Sequence, residues 1–101
     1  MKREKFVPNA AYNTFLSRLR LARQVAGVSQ RELATRLGMH HSRINRVEDA
    51  KRALDLLEVR QWCQALGLSV VEFTRELDAA LNAADADVSA AASPSTSGEG
   101  Q

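Results

Sequence analysis

Three short segments of this chain share one grammar, and it is a helical one. Ser29-Gln30-Arg31-Glu32, Asp55-Leu56-Leu57-Glu58 and Ser69-Val70-Val71-Glu72 each set a Ser or Asp three residues before a Glu. In such a capping box the first side chain accepts from an orphan N–H of a starting helix, and the Glu reaches back. An apolar residue precedes each box (Val28, Leu54, Leu68), and another follows four after the cap (Leu33, Val59, Phe73). That pair is the hydrophobic staple, which sets how the chain enters a helix. Gly27, Gly38 and Gly67 punctuate the segments between them. Caps, staples and glycine stops agree on an all-α chain.

The apolar spacing completes the helix count. A first helix starts between Asn9 and Asn13, either of which can cap it, and runs to Ala26. Phe15, Leu16, Leu19, Ala22 and Ala26 fall three and four apart and share its inner face. The second spans about Gln30 to Leu37, and the third about His41 to Glu48. Leu56, Val59, Trp62, Cys63 and Leu66 form the inner face of the fourth; Val70, Phe73 and Leu77 point inward from the fifth. Trp62 and Cys63 read as core.

The third helix is unlike the others. Ile44 and Val47 are its only apolar residues, so His41, Ser42, Arg43, Asn45 and Arg46 must face outward. A short helix that shows solvent only polar donors is a poor packing element. It suits a surface of hydrogen-bond acceptors, such as DNA base edges and phosphates.

The pattern Leu19…Arg23…Gly27-Val28-Ser29-Gln30-x-x-Leu33-Ala34-x-x-Leu37-Gly38…Ile44…Val47-Glu48, with Leu66-Gly67-Leu68-Ser69 near the end, resembles the helix-turn-helix of the phage repressor and Cro family, also called Xre-type regulators. The likeness covers roughly residues 15 to 77. It implies a five-helix, lambda-repressor-like DNA-binding domain whose second and third helices form the helix-turn-helix. It implies base contacts from His41, Ser42 and Arg46, with Arg43 at the flank. Arg46 suits a bidentate bond to guanine, whereas a serine hydroxyl names no particular base. Phosphate contacts fall to Gln30, Asn45, Lys51 and Arg52, and to His40 if it turns toward the backbone. Arg23 is expected to pair with Glu48 and lock the first helix to the third. Two departures stand out. His40 occupies the cap position of the third helix, where relatives usually carry Ser, Thr or Gly. Asp49-Ala50 replaces Asn-Gly or Arg-Gly, so Ala50 makes a left-handed turn costlier and Asp49 would repel a phosphate.

Charge supports a polyanion partner. The net charge of +2 hides an asymmetry: twelve of the fourteen Lys and Arg lie at or before Arg52, with only four of the twelve acids. The front half is strongly basic. Residues 1–9 form a basic N-terminal arm, 10–81 the helix-turn-helix domain, and 82–101 an Ala-, Ser- and Gly-rich tail expected to be disordered. The single cysteine, Cys63, excludes an internal disulfide and a cysteine-based zinc site. His40 and His41, adjacent on a helix, would point about 100° apart, so no metal or other cofactor is expected. No Ser-His-Asp set, glycine-rich phosphate loop or acid pair appears, which argues against an enzyme. With no long apolar run and no signal-peptide stretch, the expectation is a cytoplasmic protein of a bacterium or phage, without membrane association.

The function expected is a sequence-specific, double-stranded-DNA-binding transcriptional regulator, a repressor rather than an activator. One recognition helix reads only a few base pairs, so a homodimer on a near-palindromic operator is expected. The fifth helix and its extension, from Val71 toward Leu77 and Leu81, with Leu57 adding, is the expected dimer contact. Two alternatives share the fold: an antitoxin that binds DNA and also a toxin through its tail, and a protein-interaction module that leaves DNA alone.

Overall fold

The computed structural model describes residues 8–92, with side chains through residue 86. The chain folds as five helices: α1 (Ala10–Val25), α2 (Gln30–Leu37), α3 (His41–Glu48), α4 (Leu56–Ala65) and α5 (Val70–Ala92). This is the lambda-repressor-like arrangement. α2 packs chiefly on α3 and also on α4, while α5 closes the other side against α1 and α4. The N-terminal arm lies outside the described residues except for Pro8 and Asn9, the latter capping α1 by accepting from the Tyr12 N–H at 2.8 Å.

Leu19, Leu33, Ile44, Val47, Trp62 and Cys63 are fully buried and draw α1 through α4 together. Phe15 joins α1 to α5 by an edge-on contact with Phe73, 6.0 Å between ring centres. The Arg18–Glu76 ion pair at 3.2 Å adds to that seam. Ala26 and Leu56, expected on inner faces, are exposed, Leu56 at 68%. Both stand at a helix end, where the chain is already leaving the helical period: Ala26 is the residue that caps α1, and Leu56 opens α4.

The three boxes differ in how far they close. Asp55 and Glu58 exchange both hydrogen bonds, at 2.8 and 2.9 Å. Ser29 accepts from the Glu32 N–H, but Glu32 turns its carboxylate to Arg36 at 2.7 Å. Glu72 likewise turns to Arg75 at 2.7 Å while Ser69 caps α5 through the Val71 N–H at 3.1 Å. In both, the carboxylate takes a full opposite charge within its own helix; Glu58 instead divides its oxygens, one closing the box and the other holding Arg52 at 3.1 Å. Of the staples, Val28–Leu33 lies within the buried core, whereas Leu68 of the third remains exposed.

α5 runs on to Ala92, eleven residues past its expected end at Leu81. The extension holds six alanines (83, 84, 86 and 90–92), with only Asn82, Asp85, Asp87, Val88 and Ser89 intervening. Alanine is the best helix former, so helix needs no packing partner there to compete with coil. Residues 93–101 of the expected tail lie outside the described residues.

Four helices end in the same turn, with an N–H reaching a carbonyl five residues back: Val28 to Arg23, Met39 to Ala34, Lys51 to Arg46 and Leu68 to Cys63. Each needs one left-handed residue. Glycine supplies it three times, but after α3 Ala50 takes it, at φ 62°. A left-handed alanine costs about 1–2 kcal/mol. Glycine there would lose part of a half-buried methyl and about 0.4–1 kcal/mol in unfolded-state entropy. Ala50→Gly should therefore stabilise the domain by about 0.5 kcal/mol. Denaturant unfolding checks this: the midpoint should rise at unchanged slope, and a lower midpoint would show that Ala50 carries no strain.

Candidate nucleic-acid interface

α3 is held by two apolar anchors and one carboxylate. Ile44 and Val47 are buried, each contributing about 1.5–3 kcal/mol. Glu48, the last residue of the helix, is buried too, its side chain only 1% exposed. Arg23 of α1 donates to it twice, from Nε to Oε2 at 2.7 Å and from Nη2 to Oε1 at 3.0 Å. Its third nitrogen, Nη1, donates to the Val28 carbonyl at 2.9 Å. Gln30 Nε2 donates to Glu48 Oε1 at 3.0 Å. Arg20 donates from Nη2 to the Glu48 carbonyl at 3.0 Å, with its Nε 3.5 Å from Oε1. Glu48 thus ties α1, α2 and α3 together.

Burial alone would raise the Glu48 pKa. The hydrogen bonds from Arg23 and Gln30, and the charges of Arg23 and Arg20, outweigh it and hold the carboxyl below its ordinary 4.5. Arg20 was not among the residues singled out from sequence. It lies three before Arg23, hence on the same side of α1, and that spacing was the available signal.

With α3 fixed in rotation, its polar row faces solvent. Ser42, Arg43, Asn45 and Arg46 are exposed, and His41 is half-buried. The Arg31 charge, followed by partial burial and by His40, lowers the His41 pKa from its ordinary 6.5. A neutral His41 carries one donor and one acceptor. The His40 and His41 rings are stacked, centres 4.6 Å apart, not splayed by 100°. The reason is local: His40 is the N-cap, with extended backbone at φ −75° and ψ 144°, so helical geometry does not apply to it. His40 Nδ1 accepts from the Ser42 N–H at 3.1 Å, doing the work of the usual serine cap.

The cations divide into two groups. Arg18, Arg20, Arg23, Arg36, Arg52 and Arg75 are each engaged by a carboxylate. Arg52 is held by Glu58 of the α4 box at 3.1 Å, and its Nε is buried without a partner. The side chains of Arg31, Arg43, Arg46 and Lys51 have no hydrogen-bond or ion-pair partner among the described residues, nor has that of Asn45. These four belong to the α2–α3 segment or the turn after it; Arg60 of α4 also lacks a carboxylate partner among the described residues, its guanidinium lying 3.2 Å from the Gln64 side-chain amide. Arg31 was missed from sequence, where it read only as the residue beside Gln30.

Asp49 is exposed at the end of α3, and its carboxylate also lacks a partner among the described residues. Among those residues no group of three or more His, Cys, Asp or Glu could hold a metal ion, and no helix is long and apolar enough to cross a membrane. Cys63 is buried, which pushes its thiol pKa up.

The Glu48 hub makes a stability prediction. Glu48→Gln leaves Arg23, 12% exposed, without its counter-charge and should cost about 3 kcal/mol. The folded-state pKa lies below the unfolded one, so the wild-type contribution is complete above the ordinary glutamate value. It is lost as pH falls from there through the lower folded value. The gap in unfolding free energy between wild type and Glu48→Gln should therefore be full at pH 7 and narrow only as pH falls below 4.5. A gap that does not narrow in acid would mean that packing, not charge, underlies the cost.

A helix-turn-helix domain model matches residues 15–77, well over half of the chain. No curated protein matches. Among solved structures, an XRE-family like protein from Pseudomonas syringae pv. tomato is 38% identical, with a TM-score of 0.68 over 70% of this chain and 87% of that one. The clp gene regulator ClgR from Corynebacterium glutamicum is 26% identical, with a TM-score of 0.63 over 85% of this chain and 97% of that one. The matched residues enclose the whole α2–α3 unit, its Glu48 lock and its free cations. The chain belongs to the XRE family of helix-turn-helix, DNA-binding transcriptional regulators, which are not enzymes.

Proposed function

We propose that the protein is a repressor that binds a near-palindromic operator as a homodimer, with α3 in the major groove of each half-site. The observation that carries this is the division of the cations. Six arginines elsewhere in the described fold are held by carboxylates and Arg60 of α4 lies beside the Gln64 amide, while Arg31, Arg43, Arg46 and Lys51 cluster around α3, left for an outside anion. Arg46, Ser42 and His41 address base edges, with Arg43 beside them. Lys51 takes a phosphate. Gln30 keeps a second amide hydrogen for another while its first holds Glu48. Asn45 and His40 flank these contacts, and Arg52 has Nη1 free of Glu58.

One α3 spans too few base pairs for specificity. Two copies about 34 Å apart on one face of the duplex supply the rest. The second copy docks on α5, where Val71 is 59% exposed, Leu77 and Leu81 are half-buried, and residues 82–86 are exposed. A dimer seated over a promoter represses by occluding it.

Selection from a random duplex pool, followed by binding titrations at several salt concentrations, tests the reading. Log affinity should fall with log salt at a slope of about −0.9 per phosphate contact. Arg46→Ala should relax preference at one base pair, at about 1–3 kcal/mol, while Lys51→Ala weakens all sequences alike and lowers the slope by about one. Identical behaviour of the two variants would overturn the assigned roles. Sedimentation should show a dimer at micromolar concentration or on the operator; a monomer in both states would remove the dimer.

A further inference from the structure

The cap of α3 carries information about specificity that a serine hydroxyl alone does not. His40 Nδ1 lies 3.1 Å from the Ser42 backbone nitrogen and 2.9 Å from Ser42 Oγ. A backbone N–H can only donate, so Nδ1 is an acceptor and the ring hydrogen sits on Nε2. That tautomer is inferred from the hydrogen-bond pattern. With Nδ1 unprotonated, the 2.9 Å contact also requires the hydroxyl hydrogen to point at the ring, because otherwise two lone pairs would meet. A serine hydroxyl has one hydrogen. The His41 ring stacked on His40 at 4.6 Å, with 26° between planes, restrains the imidazole in that orientation.

We propose that His40 sets the hydrogen-bond polarity of Ser42, so that Ser42 meets DNA as an acceptor and reads an exocyclic amine. In the major groove the amines are adenine N6 and cytosine N4; guanine O6 and N7, adenine N7 and thymine O4 are acceptors and would face lone pairs. His40 is thus a positioning residue for base choice, acting through Ser42. This rests on the groove-reading role of α3 given above, and it narrows a side chain of either polarity to one.

The test uses the full chain and duplexes selected from a random pool. Each adenine or cytosine of the selected site is replaced in turn by a base lacking only its exocyclic amine. At one position the deletion should weaken wild type about fivefold, the worth of one neutral hydrogen bond, and leave Ser42→Ala nearly unchanged. His40→Asn keeps an acceptor at the cap and should retain the fivefold effect. His40→Ala frees the hydroxyl hydrogen, so the amine effect should fall below about twofold and the base preference at that pair should broaden. A loss of affinity in His40→Ala that is uniform across sequences, with preference intact, would make His40 a cap and nothing more. Coupling of Ser42 to a keto oxygen or N7, or to no base, would likewise overturn the inference while leaving sequence-specific binding in place. Failure of the pool to yield any preferred sequence would remove the groove-reading role itself.

Discussion

A carboxylate buried at the end of the recognition helix organises this molecule. Glu48 sits at the negative end of the α3 dipole and out of water, two conditions that disfavour an anion. It persists there because Arg23 meets it with two nitrogens, Gln30 adds a third donor, and Arg20 takes the helix-terminal carbonyl. A buried pair of this kind is weak as a source of net stability but costly to break. What it supplies is geometry. Three donors on two other helices leave α3 one rotation about its axis, and Ile44 and Val47 confirm the same one by burial.

That rotation decides which residues of α3 face solvent. The same Arg side chain is structural on α1 and free on α3, and only the location of carboxylates separates the two roles. Arg52 shows how fine the division is. It follows Lys51 directly, yet Glu58 of the next capping box claims it while Lys51 stays free. The acidic back half of the chain therefore does more than balance charge: Glu58 and Glu76 draw basic residues of the front half into the scaffold.

The two departures from the family pattern turn out differently. Ala50 adopts the left-handed turn in place of the usual glycine, and the Lys51-to-Arg46 bond that the turn permits is made regardless. His40 fulfils the cap function by another chemistry. Its imidazole accepts as a serine oxygen would, but it lies farther from the backbone and so also reaches the Ser42 hydroxyl. A change of cap residue that looks like a loss of helix propensity becomes a constraint on the neighbouring side chain.

Helix number and the bounds of the helix-turn-helix pair were legible in the chain itself, because caps, staples and apolar spacing are local rules acting within a few residues; the far end of α5, which has no such stop signal, was not. α2 and α3 begin and end where those rules place them. The resemblance to Xre-type regulators named Arg23 and Glu48 as partners, and the fold sets them 2.7 Å apart. What no local rule reaches is competition between groups distant in sequence. Arg18 meets Glu76 fifty-eight residues on, Arg20 joins the Glu48 carboxylate twenty-eight residues on, and Arg52 turns from solvent to Glu58 of the next helix. Each outcome depends on which charges the packed helices bring within about 4 Å, where Coulomb energy exceeds thermal energy. Sequence thus determined the elements and the kind of surface. Tertiary structure alone decided which of its cations remain free to bind.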